Sequence, residues 1–260
     1  MAIKGAILGD IAGSQYEYNR PQDLKWRLCD LFTDNCHFTD DTVMSLAIKY
    51  AIDKNIDYQE AMRKIGQCFP DCGYGPTFFT WMFCHEPKPY NSFGNGAAMR
   101  VAYIGESFDT LTKVQQEAIK SAQVSHSHPE GIKGAAVTAS CIWMAKHGYS
   151  RTDILSYASE QYPKDCYAIS PEMTLDKIRK VYTWDITCMT CVPVAIRCFY
   201  ESQSYQSFLR NVFSLDCDMD TICAIGGAMA EEFYHDTELD EESLFEKYLP
   251  DQLYQILMEA

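Results

Sequence analysis

Residues 39–52 read TDDTVMSLAIKYAI, two carboxylates running straight into an apolar stretch. Within it Val43, Leu46, Ala47, Tyr50 and Ala51 recur at the i, i+3, i+4, i+7, i+8 spacing of one buried helical face. Residues 132–147, 191–201, 204–213 and 221–234 repeat that period, and 110–124 follows it less regularly. Alternating strand patterns are scarce. Pro and Gly gather at 70–76 and 87–96, where long loops between helices are expected. No low-complexity linker, charge block or internal repeat divides the chain. The expectation is all-α, with residues 1–260 as a single compact multi-helix domain.

Composition narrows the function. A chain of 260 residues can bury a sizeable core, and 47% hydrophobic with 22% charged residues describes an ordinary globular protein. The net charge of -14 argues against general nucleic-acid binding, which needs a basic surface to meet phosphates. It leaves room for an anionic small molecule in a local pocket. The 12 cysteines are scattered, and Cys141 and Cys198 lie in apolar helical patterns where a thiol acts as a small hydrophobe. Cys188 and Cys191 form a lone CxxC without the second pair that a zinc site needs. The N-terminal MAIKGAILGDIAG is interrupted by Asp10 and too short to span a membrane. A cytoplasmic monomer with reduced thiols and no membrane association is expected.

Two acidic clusters carry the chemistry. The first is Thr39, Asp40 and Asp41. The second is Asp216-Cys217-Asp218-Met219-Asp220-Thr221, running into ICAIGGAMAEEFY. Each also suits a helix start, since Thr39 is a plausible N-cap and carboxylates in a first turn complement the helix dipole. Carboxylates this dense repel one another unless a cation neutralises them, and hard divalent ions take such oxygen ligands. If the fold joins the clusters, a binuclear metal site results. Gly5, Gly9 and Gly13 share one helical face that permits close packing, and Glu17 follows that helix. Gly226-Gly227 inside the last long helix costs about 1 kcal/mol per residue relative to alanine, so another backbone should pass close by. The loop SFGNGAAMR at 92–100 offers backbone N–H groups to a phosphate. In SHSHPEGIKGAA at 125–136, His126 and His128 are either a metal pair or, with Pro129, a helix start.

Taken in order, GAILGDIAGSQYE, FTDDTVMSLAI, FGNGAAMRVAYIG, SHSHPEGIKGAAVTA and SLDCDMDTICAIGGAMA resemble the ADP-ribosylglycohydrolase family, of the dinitrogenase-reductase-activating-glycohydrolase type. The blocks run from residue 5 to residue 230, nearly the whole chain. The resemblance implies a compact all-α fold with two Mg²⁺ ions, Mn²⁺ being an alternative. By position it implies metal ligands Thr39, Asp40, Asp41, Asp218, Asp220 and Thr221, with Asp220 bridging. It places Glu17 beside the metals and the scissile bond, with Asp41 or Asp218 finishing the activation of a water. Asn95, Gly96, Ala97 and Met99 match the loop that cradles a diphosphate, and His126 a ligand-side histidine. The implied partner is an ADP-ribosylated protein or a related ADP-ribose conjugate, and the reaction is hydrolysis of its glycosidic bond. The alternative is a weak or inactive paralogue that only binds ADP-ribose. One window departs from the family pattern Gly-Gly-Asp-Ser/Thr-Asp-Thr, because Asp216, Cys217 and Met219 replace its small residues. A shifted loop is the expected consequence, with the added Asp216 charge either recruiting metal or clashing with a diphosphate.

Overall fold

The computed structural model describes residues 1–259. Among them the backbone forms helices α1 (Ala2–Ser14), α2 (Asp40–Lys54), α3 (Tyr58–Gly66), α4 (Pro76–Phe83), α5 (Gly96–Met99), α6 (Ala102–Ser107), α7 (Leu111–Gln123) and α8 (Pro129–Lys146). There follow α9 (Arg151–Gln161), α10 (Leu175–Val181), α11 (Cys188–Tyr200), α12 (Tyr205–Phe213), α13 (Met219–Tyr234), α14 (Glu241–Tyr248) and α15 (Asp251–Met258). The described residues form no strand, only an isolated antiparallel bridge between Gly94 and Thr187. None of these helices is long and apolar enough to cross a membrane. The accessible surface is 11033 Å², close to the roughly 11,600 Å² expected for one compact domain of this mass. The all-α expectation holds.

Two buried helices form the axis. α1 and α13 pack together more extensively than any other pair, and α2, α8, α11 and α12 surround them. The glycine face of α1 allows this. A Cβ on Gly5 would collide with the Gly227 carbonyl, one on Gly9 with the Cys223 carbonyl, and one on Gly13 with the Asp220 backbone. Of the Gly226-Gly227 pair, Gly227 meets the Gly5 backbone as expected. Gly226 instead makes room for the Phe208 ring, with the Ala195 carbonyl behind it.

Local signals set where the site-bearing helices begin. Thr39 caps α2, its Oγ1 accepting from the Asp41 N–H at 3.2 Å. Asn55, with φ of 52°, ends that helix in the left-handed region. Pro129 opens α8 and His128 is its N-cap, Nδ1 accepting from the Glu130 N–H at 3.1 Å. That contact decides the question over His128. It is a cap packed edge-on to Phe93, so His126 and His128 do not form a metal pair.

The α1–α13 contact yields a prediction. Gly5→Ala should lower stability by about 1–3 kcal/mol by overpacking while leaving divalent-ion affinity within a few-fold. Gly13→Ala should also weaken Mn²⁺ binding, because its methyl presses on the backbone that carries Asp220. Thermal melts beside Mn²⁺ calorimetry would show whether the two effects separate.

Candidate metal centre and substrate cavity

The fold brings the two acidic clusters together. Thr221 at the start of α13 donates its hydroxyl to Asp41 Oδ2 at 3.0 Å, spanning 180 residues of sequence. Thr39 Oγ1 reaches the same oxygen at 3.5 Å. Among the described residues, Asp10, Asp41 and Asp220 each place a carboxylate oxygen within 4.8 Å of the others. Glu17, Asp218 and Asp220 do the same, with Asp220 common to both groups.

Asp218 distinguishes capping from site-building. It occupies the N-cap position of α13, yet its side chain makes no capping hydrogen bond. Its Oδ2 instead accepts from Asn95 Nδ2, which ties the second cluster to the 92–100 loop. An acid that could satisfy the helix start and does not is held for something else.

Asp10 was not foreseen. Buried in α1, it accepts from the Thr39 N–H at 2.9 Å, the Thr39 hydroxyl at 2.7 Å and the Thr42 N–H at 3.1 Å, with the Thr42 hydroxyl as a fourth donor. Both its oxygens are thereby used. Asp10 is thus a backing residue that fixes the start of α2 from behind, although its position would also allow ligation. The signal was present in the sequence, since an acid inside an otherwise apolar helix must find partners.

The residues fit a divalent cation. Asp41 Oδ1 is buried with no hydrogen-bond partner, and such an oxygen costs free energy unless something cationic meets it. Burial, then neighbouring carboxylates, raises Asp40, Asp41 and Asp220 well above the ordinary carboxylate range. Burial also lifts Asp218 to about 6. The donors are all carboxylate or hydroxyl oxygens, the set hard ions of the Mg²⁺ and Mn²⁺ class select.

Above the clusters opens a cavity of about 560 Å³, within the range of small-molecule sites. Glu17, Asp40, Asp41, Asp218, Asp220 and Thr221 line it, as do Asn95, Gly96, Met99 and His126. Thr39 and Ala97 do not. Thr39 stands one layer back against Asp10, and Ala97 is fully buried behind the wall. The Gly96 and Ala97 N–H groups open α5 and so lack intrahelical acceptors. Asp216 points to solvent and does not line the cavity, while Cys217 and Met219 are buried. The unusual charge therefore sits away from where a diphosphate would lie. Cys188 donates to the Gly94 carbonyl and Cys191 to the Asp185 carbonyl, so the CxxC pair serves the wall. Tyr18, Trp184 and Ile186 at the mouth, and buried Arg100, carry no periodic sequence signal and received no individual role from the sequence.

This helical scaffold with an acid-lined cavity matches one known class. The sequence model of the ADP-ribosylglycohydrolase family covers residues 1–234, and the chain belongs to that family of hydrolases. It is 28% identical to the ADP-ribosylhydrolase ARH3 of Bos taurus, over 89% of this chain and 83% of that one. The Homo sapiens ARH3 is also 28% identical, over 89% of this chain and 84% of its own. Among solved structures, an "ADP-ribosylglycohydrolase-related protein complex" superimposes with a TM-score of 0.69 at 17% identity, covering 98% of this chain and 90% of the other. That likeness supports the fold alone.

Asp10→Asn keeps the shape but removes one acceptor oxygen from behind Thr39 and Thr42. Backing residues of this kind typically contribute 10–100-fold to metal affinity. Calorimetry should therefore give a Mn²⁺ affinity roughly 10–100-fold weaker, and an unchanged affinity would remove Asp10 from this role.

Proposed function

We propose that the protein hydrolyses the glycosidic bond between ADP-ribose and an acceptor, with divalent-metal assistance. The observation that carries this reading is the meeting of Glu17 and both acidic clusters in one cavity that also contains the Gly94–Gly96 loop and His126. Membership of the ADP-ribosylglycohydrolase family supports the same substrate.

Asp40, Asp41, Asp218, Asp220 and Thr221, which line the cavity, would hold two Mg²⁺ ions, or Mn²⁺, and Thr39 would join them only by turning its hydroxyl from Asp10. The place of Asp220 in both carboxylate groups suits a bridging role. When bound, such ions supply positive charge and Lewis acidity toward ribose hydroxyls and water.

The chain's own groups do the rest. Cleavage at an anomeric carbon passes through an oxocarbenium-like state, so the site must fix the sugar and admit water on one face. Glu17, half-buried beside Asp218 and Asp220, is placed to hand a proton to the departing acceptor atom. Asp218, oriented by Asn95, or Asp41 takes the proton from the incoming water. The Gly96 N–H and His126, which line the cavity, would anchor the diphosphate, with Ala97 behind them in the wall. Binding energy gathered there orients the ribose over the carboxylates.

Free ADP-ribose should be released from a panel of conjugates that includes arginine, serine, nucleic-acid and small-metabolite linkages. Chelation or Asp220→Ala should abolish that release. Glu17→Gln should slow it by about 10²–10⁴-fold while leaving ADP-ribose affinity within a few-fold. Full activity without metal would sink the metal-assisted reading. Tight ADP-ribose binding with no turnover on any linkage would favour a non-catalytic binder.

A further inference from the structure

Arg100 is one of the largest fully buried side chains in the protein, and it has no carboxylate partner among the described residues. Its Nη2 donates to the Ser121 carbonyl at 2.8 Å and to Ser125 Oγ at 3.1 Å. Ser125 Oγ lies 2.8 Å from His126 Nδ1. The far edge of that imidazole faces the phosphate-cradling loop, because a Cβ on Gly96 would stand 3.2 Å from Nε2.

The proton positions follow from what each group is able to do. A guanidinium only donates, so Ser125 Oγ must accept from Arg100. Ser125 is fully buried, and the acceptor hydrogen-bonded to its own O–H is His126 Nδ1 at 2.8 Å, with the Tyr90 hydroxyl the weaker alternative beside it. With the O–H pointed there, Nδ1 carries no proton and the neutral ring bears its hydrogen on Nε2. Reversing the bond, or protonating the ring, would leave the buried hydroxyl only the weaker Tyr90 contact in place of a 2.8 Å bond, at a cost of about 1–3 kcal/mol.

We propose that Arg100 and Ser125 are positioning residues that lock His126 as the neutral Nε2–H tautomer, a fixed donor aimed at an anionic oxygen held by the Gly94–Gly96 loop. The identity of that anion as a diphosphate rests on the functional reading above; the lock itself does not. The surroundings agree. Burial, then the Arg100 charge, holds His126 well below the ordinary histidine range. Tyr90, the other titratable group packed on the ring, is pushed up to about 12 by burial and stays neutral. Phe78 of α4 and Gly131 of α8 complete the enclosure and cannot ionise. An ordinary histidine would lose anion affinity as the pH rises through about 6.5. This one should not.

The test is ¹⁵N-histidine NMR of the full chain from about pH 5.5 to about pH 8, beside ADP-ribose calorimetry over the same range. The expected result is one protonated ring nitrogen, Nε2, throughout, with an affinity that varies less than about threefold. Ser125→Ala should release the ring to titrate or change tautomer and should weaken ADP-ribose by about tenfold, without changing Mn²⁺ affinity. Ser125→Thr, which keeps the hydroxyl, should restore both. An Nδ1–H ring, or an imidazolium forming near about pH 6, would overturn the lock. So would Ser125→Ala leaving the tautomer unmoved. Should the lock appear in a wild-type chain that binds no ADP-ribose, the functional reading fails and the lock stands.

Discussion

The backbone-on-backbone contact between α1 and α13 is the constraint on which the site depends. Three glycines on one face of α1 let the helices approach until main-chain atoms touch. At that separation Asp10 and Asp220, buried on the two helices, bring carboxylate oxygens within 4.8 Å of each other and of Asp41. α2 then hangs from Asp10 by four hydrogen bonds at its first turn. Geometry that looks like a property of acidic side chains thus originates in residues with no side chain at all.

Charge is the expense of that arrangement. Five carboxylates, Asp10, Asp40, Asp41, Asp218 and Asp220, are crowded at the heart of a chain whose net charge is already -14. Hydroxyls and amides offset part of this, as Thr39, Thr42, Thr221 and Asn95 show. Asp41 Oδ1 is left over. A fold selected only for stability would replace such a group with an apolar one.

Much of this was legible in the sequence, and the gaps have physical reasons. Helices with a wide apolar stripe, α2, α8, α11, α12 and α13, announce themselves by period. Shorter surface helices such as α9 and α14 do not, since eight to eleven residues with few buried positions carry little periodic signal. By contrast, α3 buries Tyr58, Ala61, Met62, Ile65 and Gly66 at helical spacing and had a signal to read. The clusters were visible because several acids in a row are more than a cap requires. Asp10 and Arg100 were overlooked because each is a single polar residue in an apolar run, with its partners supplied by distant segments. Tyr18, Trp184 and Ile186 belong to loops, where position is set by the scaffold rather than by any repeat.

The two halves of the acidic centre are held by different kinds of contact. Asp218, Asp220 and Thr221 begin a helix whose backbone is wedged against another, so little can shift there without pushing α1 aside. Asp40 and Asp41 begin a helix held by side-chain hydrogen bonds to Asp10 and by one backbone bond, from the Asp40 N–H to the Cys72 carbonyl at 2.7 Å. That bond ties the 70–76 loop to the start of α2, and its Gly73, Tyr74 and Gly75 line the cavity. A single main-chain bond thus links the acidic centre to the wall through which any ligand must pass.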